Sequence, residues 1–168
     1  MRSRILMIFA AGLLLAACET AGEETSEASG VGAVSTGVIV EETEIASVVP
    51  GSQEDLLLNV GDRIFFGFDS SELDSNSQDV LKNLAAWLQA NPGTTITIAG
   101  HADNRGTREY NLALGERRAN SARDFLVALG INPSRVGTIS YGKERPAVLG
   151  DFDEAWAQNR RDVFEVNG

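Results

Sequence analysis

"GHADNRGTREYNLALGERRAN", Gly100 to Asn120, decides how the rest of the chain is read. Just before it, "TTITIAG" alternates Thr with Ile, the period-two pattern of a strand. The stretch then turns polar. It holds the only histidine of the chain, His101, and an aspartate two places on, Asp103. Gly100 and Gly106 permit a tight backbone there. From about Thr107 to Leu129 the spacing predicts a long helix, with Ala119, Ala122, Phe125, Leu126 and Leu129 facing a core and Gly130 ending it. The charged loop therefore sits at a strand-to-helix junction.

On that helix Asn111, Leu114, Gly115 and Arg118 recur at spacings of three and four and share one face. Arg117 points elsewhere by about 100°. A loop aspartate and an inward-facing arginine can converge on one cavity. There the carboxylate attracts an ammonium and the guanidinium grips a carboxylate through two parallel hydrogen bonds, which suits a zwitterion such as a free amino-acid head. The same spacing also fits a structural ion pair between Asp103 and Arg118. Both readings stay open at this level.

Upstream, "DRIFFGF" from Asp62 predicts a first strand, nearly all apolar and so buried on both faces. Ser75 and Gln78 have the spacing of a capping box, and Val80, Leu81, Leu84, Trp87 and Leu88 follow at helical spacing up to Asn91-Pro92-Gly93. Trp87 is expected to anchor the core. "VGTISYG" reads as a third strand, a short helix spans about Ala155 to Asn159, and "RDVFEV" reads as a fourth strand. The expected fold class is α+β, a two-layer α/β sandwich with helices packed on a small, about four-stranded mixed sheet.

The chain has 168 residues, and its ends differ from this domain. Residues 1–17 carry Arg2, Arg4 and then an apolar run too short to span a bilayer, the form of a signal peptide. The run closes on Leu15-Ala16-Ala17-Cys18, which resembles the lipobox of bacterial lipoproteins. Cys18 is the only cysteine, so it has no disulfide partner in the chain and is the expected lipidation site. At about 0.8 kcal/mol per buried CH₂, several acyl chains give lasting attachment where one would not. Residues 18–60 then form the lipidated start and an acidic flexible linker, with nine acids and no Lys or Arg from Glu19 to Val60. Such a coil spans on the order of 40 Å root-mean-square, and about 150 Å pulled straight. The domain proper is expected at 61–168.

Without Arg2 and Arg4 the chain has 12 basic and 24 acidic residues. That balance argues against nucleic acid, whose phosphates demand a basic face. His101 and Asp103 are spaced as a metal or general-base pair would be, but there is no second histidine and no further cysteine to complete a site. No nucleophile elbow or phosphate-cradling loop appears either. A non-enzymatic protein without metal or cofactor is expected, with His101 shaping the loop.

Taken together, "FGFDSSEL", "GHADNRGTREYNLALGERRAN", "VGTISYGKERPAVLG" and "AWAQNRRDV" resemble the OmpA-like peptidoglycan-binding domain family, in its lipoprotein branch. The resemblance covers about Asp62 to Val166, and through Cys18 the anchor as well. It implies a ligand in the peptide stem of peptidoglycan, held by the zwitterionic end of meso-diaminopimelate. Carried over by motif, the binding residues are Asp103 and Arg118, with Asn111 and Leu114 lining the pocket, Asp69 and Phe68 from the first loop, and Arg105 at the rim. It further implies an outer-membrane lipid anchor, a periplasmic domain, and TolB as a partner within the Tol–Pal system during constriction. An interaction module serving mainly TolB is the alternative. Two departures stand out: Glu72 replaces a second loop aspartate, and Asp162 puts a charge where the family tends to be apolar.

Overall fold

The computed structural model describes residues 48–168. The signal segment 1–17, Cys18 and the acidic linker up to residue 47 lie outside the described residues. Regular structure starts earlier than the expected boundary at 61. Ser52 caps a seven-residue helix, α1 (Gln53–Asn59), by accepting a hydrogen bond from the Asp55 amide. Its Leu56 is fully buried in the core. The Asp55 carboxylate accepts from the Gly51 amide at 2.8 Å and from Trp87 Nε1 at 2.9 Å. So short a helix, burying one leucine of three consecutive ones, leaves no period for a sequence pattern to show.

The first strand, β1, is only Arg63–Phe65 and lies at a sheet edge. Ile64 is buried while Arg63 and Phe65 are exposed, so the expectation of burial on both faces fails. The next helix, α2 (Ser75–Ala90), is capped one residue earlier than expected: Asp74 accepts from the Ser77 amide at 2.7 Å. Gln78 instead donates to the Leu73 carbonyl at 2.9 Å. Leu81, Leu84, Trp87 and Leu88 are buried as the helical spacing predicts.

Strand β2 (Ile96–His101) leads through the charged loop into α3 (Arg108–Ala128), capped by Thr107. A short 3-10 turn, Pro133–Arg135, precedes β3 (Val136–Gly142). Helix α4 (Asp153–Asn159) then delivers β4 (Arg161–Val166). The sheet order is β1-β4-β2-β3, with β2 and β3 parallel and β4 antiparallel to both β1 and β2. A parallel β2–β3 pair needs a crossover, which α3 supplies. The result is the expected α+β sandwich on a mixed four-stranded sheet. Its core joins Leu81, Leu84 and Leu88 of α2 and Ala119, Ala122 and Leu126 of α3 to Ile64, Ile96, Ile98 and Phe164 of the sheet. Leu129, expected inside, is the partly exposed C-cap of α3.

The glycines set how close α3 lies. A Cβ on Gly100 would stand 2.0 Å from the Gly115 carbonyl oxygen, so strand and helix touch backbone to backbone. Gly100 thus serves packing rather than a turn. Gly106, with φ +85°, is the residue that needs left-handed freedom.

Candidate functional site: a charged cleft at the β2–α3 junction

Beyond β2 the chain turns around Asp103, which is almost wholly buried. Its Oδ1 accepts from the amide of Arg105 and from Arg105 Nε, both at 3.2 Å. Arg105 Nη2 donates to Oδ2 at 2.6 Å, and Arg160 Nη1 lies 3.5 Å from the same oxygen. A carboxylate offers about four acceptor positions, and protein cations and amides approach all of them. Burial alone would raise the pKa of Asp103, but the hydrogen bonds and charge of Arg105, joined by Arg160, hold it below the usual carboxylate value.

Arg105 is itself clamped. Its guanidinium carbon lies 4.1 Å from the ring centre of Phe68 and 4.0 Å from that of Trp156. Such a cation–π stack favours the charged fork over each ring. It joins the β1–α2 loop, the β2–α3 loop and α4. Trp156 Nε1 also donates to Asn104 at 2.8 Å, and Asn104 donates to Asp151, fixing the loop from that side.

Arg118 projects inward from α3 and has no exposed surface. Nε donates to the Ser70 carbonyl at 2.7 Å, Nη1 to His101 at 2.7 Å and Nη2 to Gly67 at 3.0 Å. Burial lowers its pKa to about 10, against the attraction of Asp162. Asp103 and Arg118 therefore do not bond to one another; each is satisfied elsewhere. Asn111, on the same helical face, donates to the carbonyls of Arg105 at 2.8 Å and Thr107 at 3.1 Å, holding the loop against the helix.

From the first loop comes Asp69, the one non-glycine residue of positive φ among the described residues, at 51°. Its carboxylate accepts from the Tyr110 hydroxyl. The elements meet around a cleft of about 170 Å³ lined by Phe68, Asp69, Asp103, Arg105, Gly106, Tyr110, Asn111, Leu114 and Arg118. All seven residues singled out for it in the sequence reach this cleft. Tyr110, Trp156 and Arg160 escape that reading. Tyr110 stands one position off the inward face, and the other two lie some fifty residues along the chain with no local pattern linking them to the loop.

His101 is buried, and its ring is not part of the cleft wall. Its pKa is lowered to about 4, chiefly by burial, so the ring is neutral. Among the described residues no three metal-ligating side chains converge. Asp162 lies fully buried beneath α3, and neither carboxylate oxygen has a hydrogen-bond partner. Burial pushes its pKa well above the usual value, opposed by the charge of Arg118.

Two carboxylates, Asp69 and Asp103, and two guanidinium groups, Arg105 and Arg118, line one aromatic-rimmed cleft beside a β2–α3–β3 crossover flanked by antiparallel β4, and this combination defines a class of domain. Residues 65–160 match the OmpA family, and the chain belongs to it. Within that family it is similar to the peptidoglycan-associated lipoprotein of Brucella melitensis, 55% identical over 122 residues that cover 73% of each chain. The peptidoglycan-associated lipoprotein of Rhizobium meliloti is 43% identical over 167 residues, 99% of this chain and 89% of that one. Among solved structures, the peptidoglycan-associated lipoprotein from Burkholderia pseudomallei superposes with a TM-score of 0.62 at 40% identity, covering 63% of this chain and 90% of that one. The C-terminal domain of Helicobacter pylori MotB, at 21% identity, TM-score 0.60 and covering 64% of this chain and 84% of that one, shares the fold alone.

Proposed function

We propose that the chain is an outer-membrane lipoprotein that binds peptidoglycan non-covalently, its cleft taking the zwitterionic end of meso-diaminopimelate in the peptide stem. The observation that carries this reading is the convergence of Asp103 with Arg105 and Arg118 on one cleft rimmed by Phe68 and Tyr110. It presents both charges to a ligand that bears both. The relatives' names support the wall as target. The chemistry is binding rather than catalysis, because a carboxylate saturated with guanidinium donors and held below its usual pKa is a poor base. Cys18 carries the lipid, and the acidic linker gives the domain its reach from the membrane. The role is to tether the outer membrane to the wall within the Tol–Pal system during cell division, with TolB as a periplasmic partner; that part rests on the family resemblance.

Co-sedimentation with purified wall tests the site. Asp103→Ala removes one of the two opposite charges and is expected to weaken binding at least ~30-fold, as loss of one partner of a buried charge pair does. Wall whose diaminopimelate carboxylate is amidated should be retained less well by the unaltered protein. Equal retention of Asp103→Ala and the unaltered protein would refute the assignment.

A further inference from the structure

Asp162 stands on β4 opposite Ile64 of β1 and Gly100 of β2, with no exposed surface, and neither of its carboxylate oxygens has a protein partner among the described residues. Side chains alternate along a strand, so Arg161 lies on the other face, where its terminal nitrogens reach the carbonyls of Asn159 and Arg145. Arg160 is committed to Asp103 and to the Phe66 carbonyl. Ile64 and Gly100 carry no charge, and neither do the buried residues of α2. From α3 comes Arg118, whose charge acts on Asp162. Arg118 in turn feels Arg160, Asp103 and Asp69. A guanidinium has five N–H donors. Arg118 gives three of them to Ser70, His101 and Gly67, which leaves one on each terminal nitrogen.

We infer that Asp162 is a proton-controlled latch on the first loop: when its carboxyl ionises, the buried carboxylate draws Arg118 toward β4 and off the carbonyls of Gly67 and Ser70. A buried carboxylate without a counter-charge is far costlier than a paired one, and Arg118 is the cation on that side of the sheet with donors to spare. The carbonyls hold the guanidinium by partial charges, whereas the carboxylate attracts it with a full one. While Asp162 is protonated, Arg118 ties Gly67 and Ser70 to His101. Once it ionises, the ion pair forms and the first loop loosens. Burial favours the protonated form, so the latch is closed in acid and opens as pH rises through the folded pKa. The inference goes beyond the wall-binding reading and holds whatever the cleft takes.

The test is a pH titration of the isotope-labelled chain by NMR between about pH 5 and 9, where His101, at about 4, and Arg118, at about 10, each keep predominantly one charge state. The carboxyl carbon of Asp162 reports its ionisation. The Nε–H of Arg118 and the amides of Gly67–Ser70 report the latch. All of these signals are expected to move with one shared midpoint, and exchange of the Arg118 Nε–H with solvent should quicken by about tenfold or more across it, as a local opening does. In Asp162→Asn, which keeps the shape without the charge, the Arg118 and first-loop signals should hold their acid positions throughout. Asp162→Ala makes the same comparison should Asn disturb the sheet. Ionisation of Asp162 with Arg118 and the first loop unmoved overturns the inference. So does a carboxyl still protonated at about pH 9, or movement that persists in both variants.

Discussion

Arg118 Nη1 donates to the carbonyl of His101 at 2.7 Å, which bolts the helix after the charged loop to the strand before it. The same side chain holds Gly67 and Ser70 of the first loop. The two segments that form the cleft are thus joined through one buried guanidinium. A residue with the spacing of a ligand contact is first of all the fastener of the site.

Arg118→Lys follows from this. A lysine ammonium is a point charge and cannot span three divergent carbonyls in one plane. The variant is expected to lose about 2–4 kcal/mol of stability, read from denaturant unfolding, with the stranded carbonyls as the cause. An unfolding midpoint equal to that of the unaltered protein would show that the three bonds hold nothing in place.

Gly100 and Gly115 set the distance between β2 and α3. Adding a methyl group at Gly100 drives it into the Gly115 backbone, which has no flexible end to yield. Gly100→Ala should cost about 3 kcal/mol or more. Thermal melts compared with Gly93→Ala, where a Cβ meets nothing within 4 Å, separate this clash from a general glycine effect.

Strand β2, the charged loop and helix α3 are legible in the sequence because period-two Thr–Ile alternation gives way to a long helical repeat, and both patterns are strong. The start of the domain is not, because α1 offers one inward leucine and is tied to α2 by a hydrogen bond from Trp87 to Asp55, 32 residues apart, which no local pattern shows. The cleft is half legible. Spacing aligns Asn111, Leu114 and Arg118 on one face and places Asp103 at its end. It says nothing of which groups bond, since the partners of Asp103 include Arg160, brought back by α4, and two of the three carbonyls that occupy Arg118 belong to a loop some fifty residues earlier.

Leu56 tests where the domain begins. If α1 belongs to the folded unit, Leu56→Ala opens a cavity in the main core and should destabilise by about 2–4 kcal/mol. Leu58→Ala, at an exposed position of the same helix, should change stability little. Equal effects of the two would return residues 53–59 to the linker.

Asp162 gives a pH dependence of known sign. Its folded pKa lies above the unfolded value near 3.8, so its contribution is fully present below that value and is lost as pH rises through the folded pKa. Asp103, held below 3.8, contributes in the opposite sense, above that value. Asp162→Ala is therefore expected to match the unaltered protein near pH 4. It should gain on that protein as pH rises above that value. A variant less stable than the unaltered protein at pH 7 would mean that Asp162 is ionised there and serves as the counter-charge of Arg118.

On the proposed function, the wall is held in the cleft between the first loop and the β2–α3 loop. Titration of the isotope-labelled chain, from residue 19 onward, with a diaminopimelate stem peptide tests it by mapping amide shifts along the sequence. The expected result is saturable movement concentrated at Gly67–Ser70 and Ala102–Asn111, with the Trp156 indole following. Saturable shifts confined to another surface, with these two segments unmoved, would contradict it.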